Sequence, residues 1–232
     1  MPKSLPRWLF APLLVLSRCH ACLRHTRGNA LCADCQSTIP TAEQACRRCA
    51  LPLTEAAELC GACQRQPPCF DQACAAALYD EPVNHWVTGL KFGHDLTRAR
   101  LMAEAMRHPV TGLKRPCTDT ALLAVPLHHQ RLRQRGFNQA FEIARLLARL
   151  ENMSLLTSGL RRHKATAQQT TLSKAQRIKN VRGAFSPTRR HWPAHVILVD
   201  DVMTTGNTLN ECARVLKKAG VSRVDAVVFA RA

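Results

Sequence analysis

Apolar residues near the C-terminus alternate between two patterns. Residues 195–199 (HVILV) and 224–229 (VDAVVF) are short apolar runs of strand length, while residues 208–219 carry their apolar side chains at helical spacing and stop at Gly220. Strand, helix and strand in that order predict a parallel βαβ unit. Upstream, residues 121–126 (ALLAVP) read as a buried strand stopped by Pro126. Residues 138–150 read as a helix whose apolar face carries Phe141, Ala144, Leu147 and Ala148. Residues 75–79 and 155–160 are expected to be extended, a short helix is expected after residue 79, and residues 96–107 are expected to be helical. The segment LHHQRLRQRG, residues 127–136, reads as a basic loop. Residues 164–187 have no apolar period and are rich in Thr, Gln, Lys and Arg, which predicts a long functional loop with one helical turn around residues 174–181. The fold class that follows is α/β, a parallel sheet with helices on its faces.

The N-terminal part obeys a different rule. Eight of twelve cysteines form four C-x2-C pairs: Cys19 and Cys22, Cys32 and Cys35, Cys46 and Cys49, Cys60 and Cys63. Such a turn lets two thiolates converge on one tetrahedral ion, and a second turn about ten residues on completes a four-cysteine site, so four pairs predict two structural Zn2+ ions. Redox or disulfide chemistry is the competing reading, but redox pairs rarely come four in a row. The spacing leaves pairing open between sequential and interleaved sets, with the sequential set expected. Arg18, Arg24, Arg27, Arg47, Arg48 and Arg65 are placed to offset the thiolate charge. A site closed by four thiolates has no position for chemistry, so the metal's task is folding. Cys69, Cys74 and Cys117 lack metal spacing, and Cys212 is expected in the core.

Gln66-Pro67-Pro68 ends this module. The expected organisation is an apolar arm or helix over residues 1–18, a double zinc ribbon over 19–66 and the α/β domain over 70–232. The apolar run of residues 8–16 is too short to span a bilayer and is broken by Pro12, so no membrane span is expected and the cytoplasm is the default compartment.

Charge adds a partner. The formal net charge is +17, and residues 120–199 hold 14 Lys or Arg against two acids, Glu142 and Glu151. A surface so one-sided favours polyanions.

The sharpest feature is VILVDDVMTTGNTLNECARVL, residues 196–216. In open α/β sheets ligands bind where strands end and helices begin. There Gly206 allows close backbone approach, and Thr204, Thr205 and Thr208 offer hydroxyls beside the free N–H groups of a helix, which is a phosphate cradle. Carboxylates beside a phosphate need another partner, a sugar diol or Mg2+. The combination describes a phosphorylated ribose. Neither G-x4-G-K nor G-x-G-x2-G follows a strand, which disfavours nucleoside-triphosphate and dinucleotide folds.

Asp-Asp, two residues, then Thr-Thr-Gly-x-Thr closely resembles the phosphoribosyl-pyrophosphate (PRPP) motif of type I phosphoribosyltransferases. With the cysteine pairs, Val125-Pro126-Leu127 and Arg135-Gly136-Phe137-Asn138-Gln139, nearly the whole chain resembles the ComF/GntX family of competence and DNA-utilisation proteins. The resemblance implies a type I phosphoribosyltransferase-like domain in which Asp200 and Asp201 hold the ribose hydroxyls, directly or through Mg2+. It implies a PRPP loop of Val202, Met203, Thr204, Thr205, Gly206, Asn207 and Thr208, with the last five on the 5′-phosphate. Arg131, Arg133 and Arg135 fall at the pyrophosphate loop, and Arg135 joins the two aspartates as a catalytic candidate. Residues 164–182 fall at the lid, with Gln169, Lys174, Arg177 and Asn180 as contacts. Implied partners are PRPP, single-stranded DNA along Arg131, Arg133, Arg135, Lys164, Lys174 and Arg177, and DNA-uptake or recombination proteins. The implied role is DNA uptake in natural competence and transformation, or use of DNA as nutrient. The alternative is an active phosphoribosyltransferase acting on an amine or base that the sequence does not specify. Phe92, Phe137, Phe185 and Trp192 are candidate stacking residues, each expected more readily in the core.

Overall fold

The computed structural model describes residues 16–93, 95–113, 119–164 and 181–232. The chain divides into two compact units, Met1–Thr38 and Ile39–Ala232. In the first, β1 (Leu16–Arg18) pairs antiparallel with β2 (His25–Arg27), and α1 (Ala33–Ser37) follows. Of the expected N-terminal arm, residues 1–15 lie outside the described residues, and the last three form β1.

The second unit opens with α2 (Gly61–Arg65) and β3 (Gln72–Leu78), followed by α3 (Val83–Phe92), α4 (Thr97–Ala105), α5 (Arg107–Gly112) and β4 (Thr120–Ala124). It continues through α6 (His129–Arg135), α7 (Gln139–Leu150), β5 (Ser154–Leu156), β6 (Leu160–Arg162) and β7 (Phe185–Pro187), and closes with β8 (His195–Met203), α8 (Asn207–Lys218) and β9 (Arg223–Arg231). Five strands form one parallel sheet in the order β3-β9-β8-β4-β5.

Central β8 explains the layering. Successive strand residues face opposite ways, and both sets are apolar here. Val196 and Leu198 join the core that α8 covers with Leu209, Cys212, Ala213 and Leu216. Ile197 and Val199 are equally buried, on the face where α7 packs. Asn138 ties the start of α7 to the end of β4: its Oδ1 accepts from Ala140 N–H at 3.1 Å, and its Nδ2 donates to Val125 O at 3.0 Å. That cap fixes the chain between the basic segment and the sheet.

Two local expectations change. The basic segment 127–136 is mostly helix: α6 starts under a cap from the His128 ring and ends at Gly136 with φ of +79°. It buries no residue, so no apolar stripe betrayed it. Residues 155–160 split instead of forming one strand. β5 joins the main sheet, whereas β6 pairs with β7 in a separate antiparallel ribbon. The helical turn expected at 174–181 falls almost wholly outside the described residues.

Candidate phosphoribosyl and metal sites

The two cysteine groups have the same construction. The Sγ atoms of Cys19, Cys22, Cys32 and Cys35 all lie within 4.8 Å of one another, as do those of Cys46, Cys49, Cys60 and Cys63. Cys22 and Cys32 are 3.6 Å apart, and Cys49 and Cys60 3.7 Å. Tetrahedral thiolates about 2.3 Å from zinc stand about 3.8 Å from each other, so both groups fit the ion and the sequential sets are the ones formed. In each group the first pair sits on a knuckle. Cys19 N–H donates to Arg24 O at 2.7 Å and Cys46 N–H to Leu51 O at 2.8 Å. The residue after each knuckle, Leu23 or Ala50, takes a left-handed conformation. The second pair heads a short helix, α1 or α2. Arg24 donates to Cys22 Sγ at 3.4 Å and pairs with Asp34 at 2.7 Å; the hydrogen bonds from its side chain and then its backbone bring the Cys22 thiol down to about 6. Arg47 instead pairs with Glu58, and Arg48 donates to Pro68 O at 3.0 Å.

At the far end of β8 the two carboxylates lie side by side: Asp200 Oδ1 accepts from Asp201 N–H at 3.0 Å, and the two carboxyl groups share a side-chain hydrogen bond. β8 runs through them to Met203, so the alternation continues: Asp200 follows Val196 and Leu198, and Asp201 follows Ile197 and Val199. Their further partners differ. Asp201, with 5% of its side chain exposed, forms an ion pair with Lys91 Nζ on α3 at 2.7 Å, and its Oδ1 accepts from Val202 N–H at 2.9 Å. Asp200 interacts electrostatically with Cys212 of α8 and with Arg162 of β6. Burial first, and then the charge of Asp201, raise the Asp200 carboxyl well above the usual carboxylate range, with Lys91 opposing.

Three arginines approach this strand end. Arg135 of α6 donates to Gln139 Oε1 at 2.6 Å and lays its guanidinium 5.5 Å from the centre of the Phe92 ring. Burial lowers its pKa, and the charge of Asp201 partly restores it. Arg131 lies one turn earlier on the same helix face, and its charge reaches both Arg135 and Arg162. Arg162 sits 5.4 Å over the Phe185 ring.

The loop beyond β8 is built for close approach. Gly206 has φ of +73°, which other residues adopt only with strain, and a Cβ there would stand 3.5 Å from Met203 Sδ. Thr204 and Thr205 are exposed. The N–H groups of the first turn of α8 have no intrahelical acceptor. Buried Arg231, at the end of β9, grips the loop from below: it donates to Met203 O at 3.1 Å, to Thr204 O, and to Cys49 O at 3.2 Å. One guanidinium thus joins a metal knuckle to the loop after β8.

The remaining candidates divide. Arg133 is exposed, and Lys164 is exposed with its Nζ on Arg182 O at 3.1 Å. Gln169, Lys174, Arg177 and Asn180 lie outside the described residues. Of the four aromatics expected in the core, Phe185 is buried and Phe137 and Trp192 are half-buried. Phe92 is 60% exposed, because it closes the last turn of α3 with its ring on Arg135 instead of on the core. Lys91, Arg162 and Arg231 were not anticipated. A signal existed only for Arg231, a lone cation ending an apolar strand.

Among the described residues, no helix is long and apolar enough to cross a membrane. The phosphoribosyl transferase domain family matches residues 134–232, and the double zinc ribbon domain family matches residues 6–64. Competence protein F of Haemophilus influenzae is 36% identical over 90% of this chain and 93% of its own. The DNA utilization protein YhgH of Escherichia coli K12 is 30% identical over 84% of this chain and 87% of its own. Competence protein ComFC of Streptococcus pneumoniae is 25% identical over 93% and 90%. With a double zinc ribbon ahead of a parallel sheet that ends in Asp-Asp and a threonine loop, and with relatives matching over 84% to 90% of its length, this chain belongs to the ComF family.

Proposed function

We propose that this chain binds PRPP at the end of β8 and unpaired DNA along α6, and that it acts in the cytoplasm on DNA taken up or used by the cell. The observation that carries the reading is the pairing of a glycine-kinked threonine loop with a cluster of guanidinium groups around the same strand end. Loop N–H and hydroxyl groups suit the 5′-phosphate, and Arg131 and Arg135 suit pyrophosphate. The names of the relatives, competence and DNA utilization, support the setting. DNA-uptake or recombination proteins are the expected partners.

Beside the two carboxylates the place of a cation is taken by a lysine. Lys91 is already paired with Asp201 at 2.7 Å, and its charge also acts on Asp200. Mg2+ therefore belongs to the ligand's own phosphate oxygens in this proposal, and no step is routed through it. Asp200, held toward its neutral form by burial, is suited to hydrogen-bond a ribose hydroxyl.

A second reading, transfer of phosphoribose to an acceptor, is favoured by the buried Lys91 and Asp201 pair, since binding a DNA backbone gives no reason to bury a carboxylate. Calorimetric titration of PRPP with Mg2+ into the zinc-loaded protein and into Asp200→Asn/Asp201→Asn tests the first part. Heat in the wild type and none in the variant is expected, and a silent wild type would remove the PRPP site. Affinity for a single-stranded oligonucleotide should fall steeply with salt and should drop in Arg131→Ala/Arg133→Ala. Salt-insensitive binding would remove the DNA reading.

A further inference from the structure

Phe92 is a large aromatic side chain left 60% exposed beside the most charged corner of the fold. Its position is fixed from several sides. Lys91, the preceding residue, is anchored on Asp201 at 2.7 Å. The helix that carries both is clamped at Gly89, where a Cβ would stand 2.2 Å from Arg98 Nη1; Arg98 in turn donates to His85 O at 2.5 Å and to Asp95 Oδ2 at 2.8 Å. The Arg135 guanidinium lies 5.5 Å from the ring centre and is itself held by Gln139 at 2.6 Å. Leu132, three residues before Arg135 on the same helix face, is also exposed, at 43%.

An exposed ring costs free energy in water unless something covers it. A cation held against it draws electron-rich planar groups to the same place. Those features select a flat, hydrogen-bonding ring that arrives attached to, or next to, phosphate. We propose that Phe92, supported by Arg135, is the stacking platform for one unpaired nucleobase, presented beside Asp201. This rests on the reading of the strand end as a phosphoribosyl site and says what is held across from it. The base can come from a strand or as a free acceptor, and stacking on a sequence-tolerant π-face is the chemistry common to both.

The test compares wild type, Phe92→Leu and Phe92→Tyr, all at an exposed position where the fold is not at stake. In one arm, fluorescence anisotropy reads binding of oligo(dT) and of an abasic strand of equal length, which keeps the phosphates and lacks the bases. In the other, equilibrium dialysis reads binding of the free nucleobases with PRPP present. Expected is a loss of about tenfold in Phe92→Leu, recovery in Phe92→Tyr, and an unchanged salt slope, because no charge is removed. Loss confined to oligo(dT) assigns the platform to a strand base, and loss confined to the dialysis arm assigns it to a free acceptor. If Phe92→Leu matches wild type in both arms, the platform is overturned. PRPP titration of the same variants separates the two claims: a wild type that binds oligo(dT) through Phe92 yet gives no heat with PRPP would remove the phosphoribosyl reading and leave the platform standing.

Discussion

Lys91 and Asp201 form an ion pair with Nζ and Oδ2 2.7 Å apart, and the two side chains are 23% and 5% exposed. The pair joins the last turn of α3 to the end of β8. The ammonium compensates a carboxylate that is withdrawn from water.

Lys91→Met should therefore cost about 3 kcal/mol of stability by stranding that carboxylate, while Lys91→Met/Asp201→Asn should recover most of it. Urea denaturation of the single and double variants checks this. Equal losses in both would show that Lys91 matters through its packing alone.

Asp200 makes the opposite prediction. Its carboxyl is raised in the folded state, chiefly by burial and then by Asp201, so the folded protein holds that proton above the ordinary carboxylate range and the unfolded chain does not. Stability from this group is present at low pH and lost as pH rises through the window above about 4. Asp200→Asn should stabilise the ligand-free protein by about 1 kcal/mol at neutral pH, and its advantage should be larger at pH 8 than at pH 5.5. Thermal melts at the two pH values decide it, and a pH-independent difference would contradict the assignment.

Metal analysis should find two zinc ions per chain. Cys22→Ser and Cys63→Ser should each lose one and keep the other, because the two groups are separate. A variant losing both would mean that the sites fold as one.

Arg231→Met leaves the carbonyls of Met203, Thr204 and Cys49 without their donor, which should cost about 2 kcal/mol. Amide exchange should quicken around residues 203–206 while zinc content holds at two. Unchanged exchange there would show that the loop is held by other contacts.

The parts of the fold that repeat a period were legible beforehand. β8 and α8 declare themselves by apolar spacing, and the metal sites by four identical cysteine pairs. α6 was hidden because a helix with no buried residue has no apolar stripe to display. That Asp200 and Asp201 take different further partners, Arg162 and Lys91, was hidden for another reason. Adjacent residues look like a matched pair in a sequence, yet within a strand they face opposite sides of the sheet. Lys91 could not have been assigned, since only the third dimension brings α3 to the end of β8.

Because Arg231 donates both to the Cys49 knuckle and to the loop after β8, the second metal site and the proposed ligand site share a residue through which their affinities can be linked. Linkage of binding free energies is reciprocal, so whatever affinity for the second zinc ion an anion bound at the loop adds, zinc adds to the affinity for that anion. The equilibrium affinity for the second ion, measured by competition with a chelator, thus becomes a gauge of occupancy at a site that contains no metal ligand.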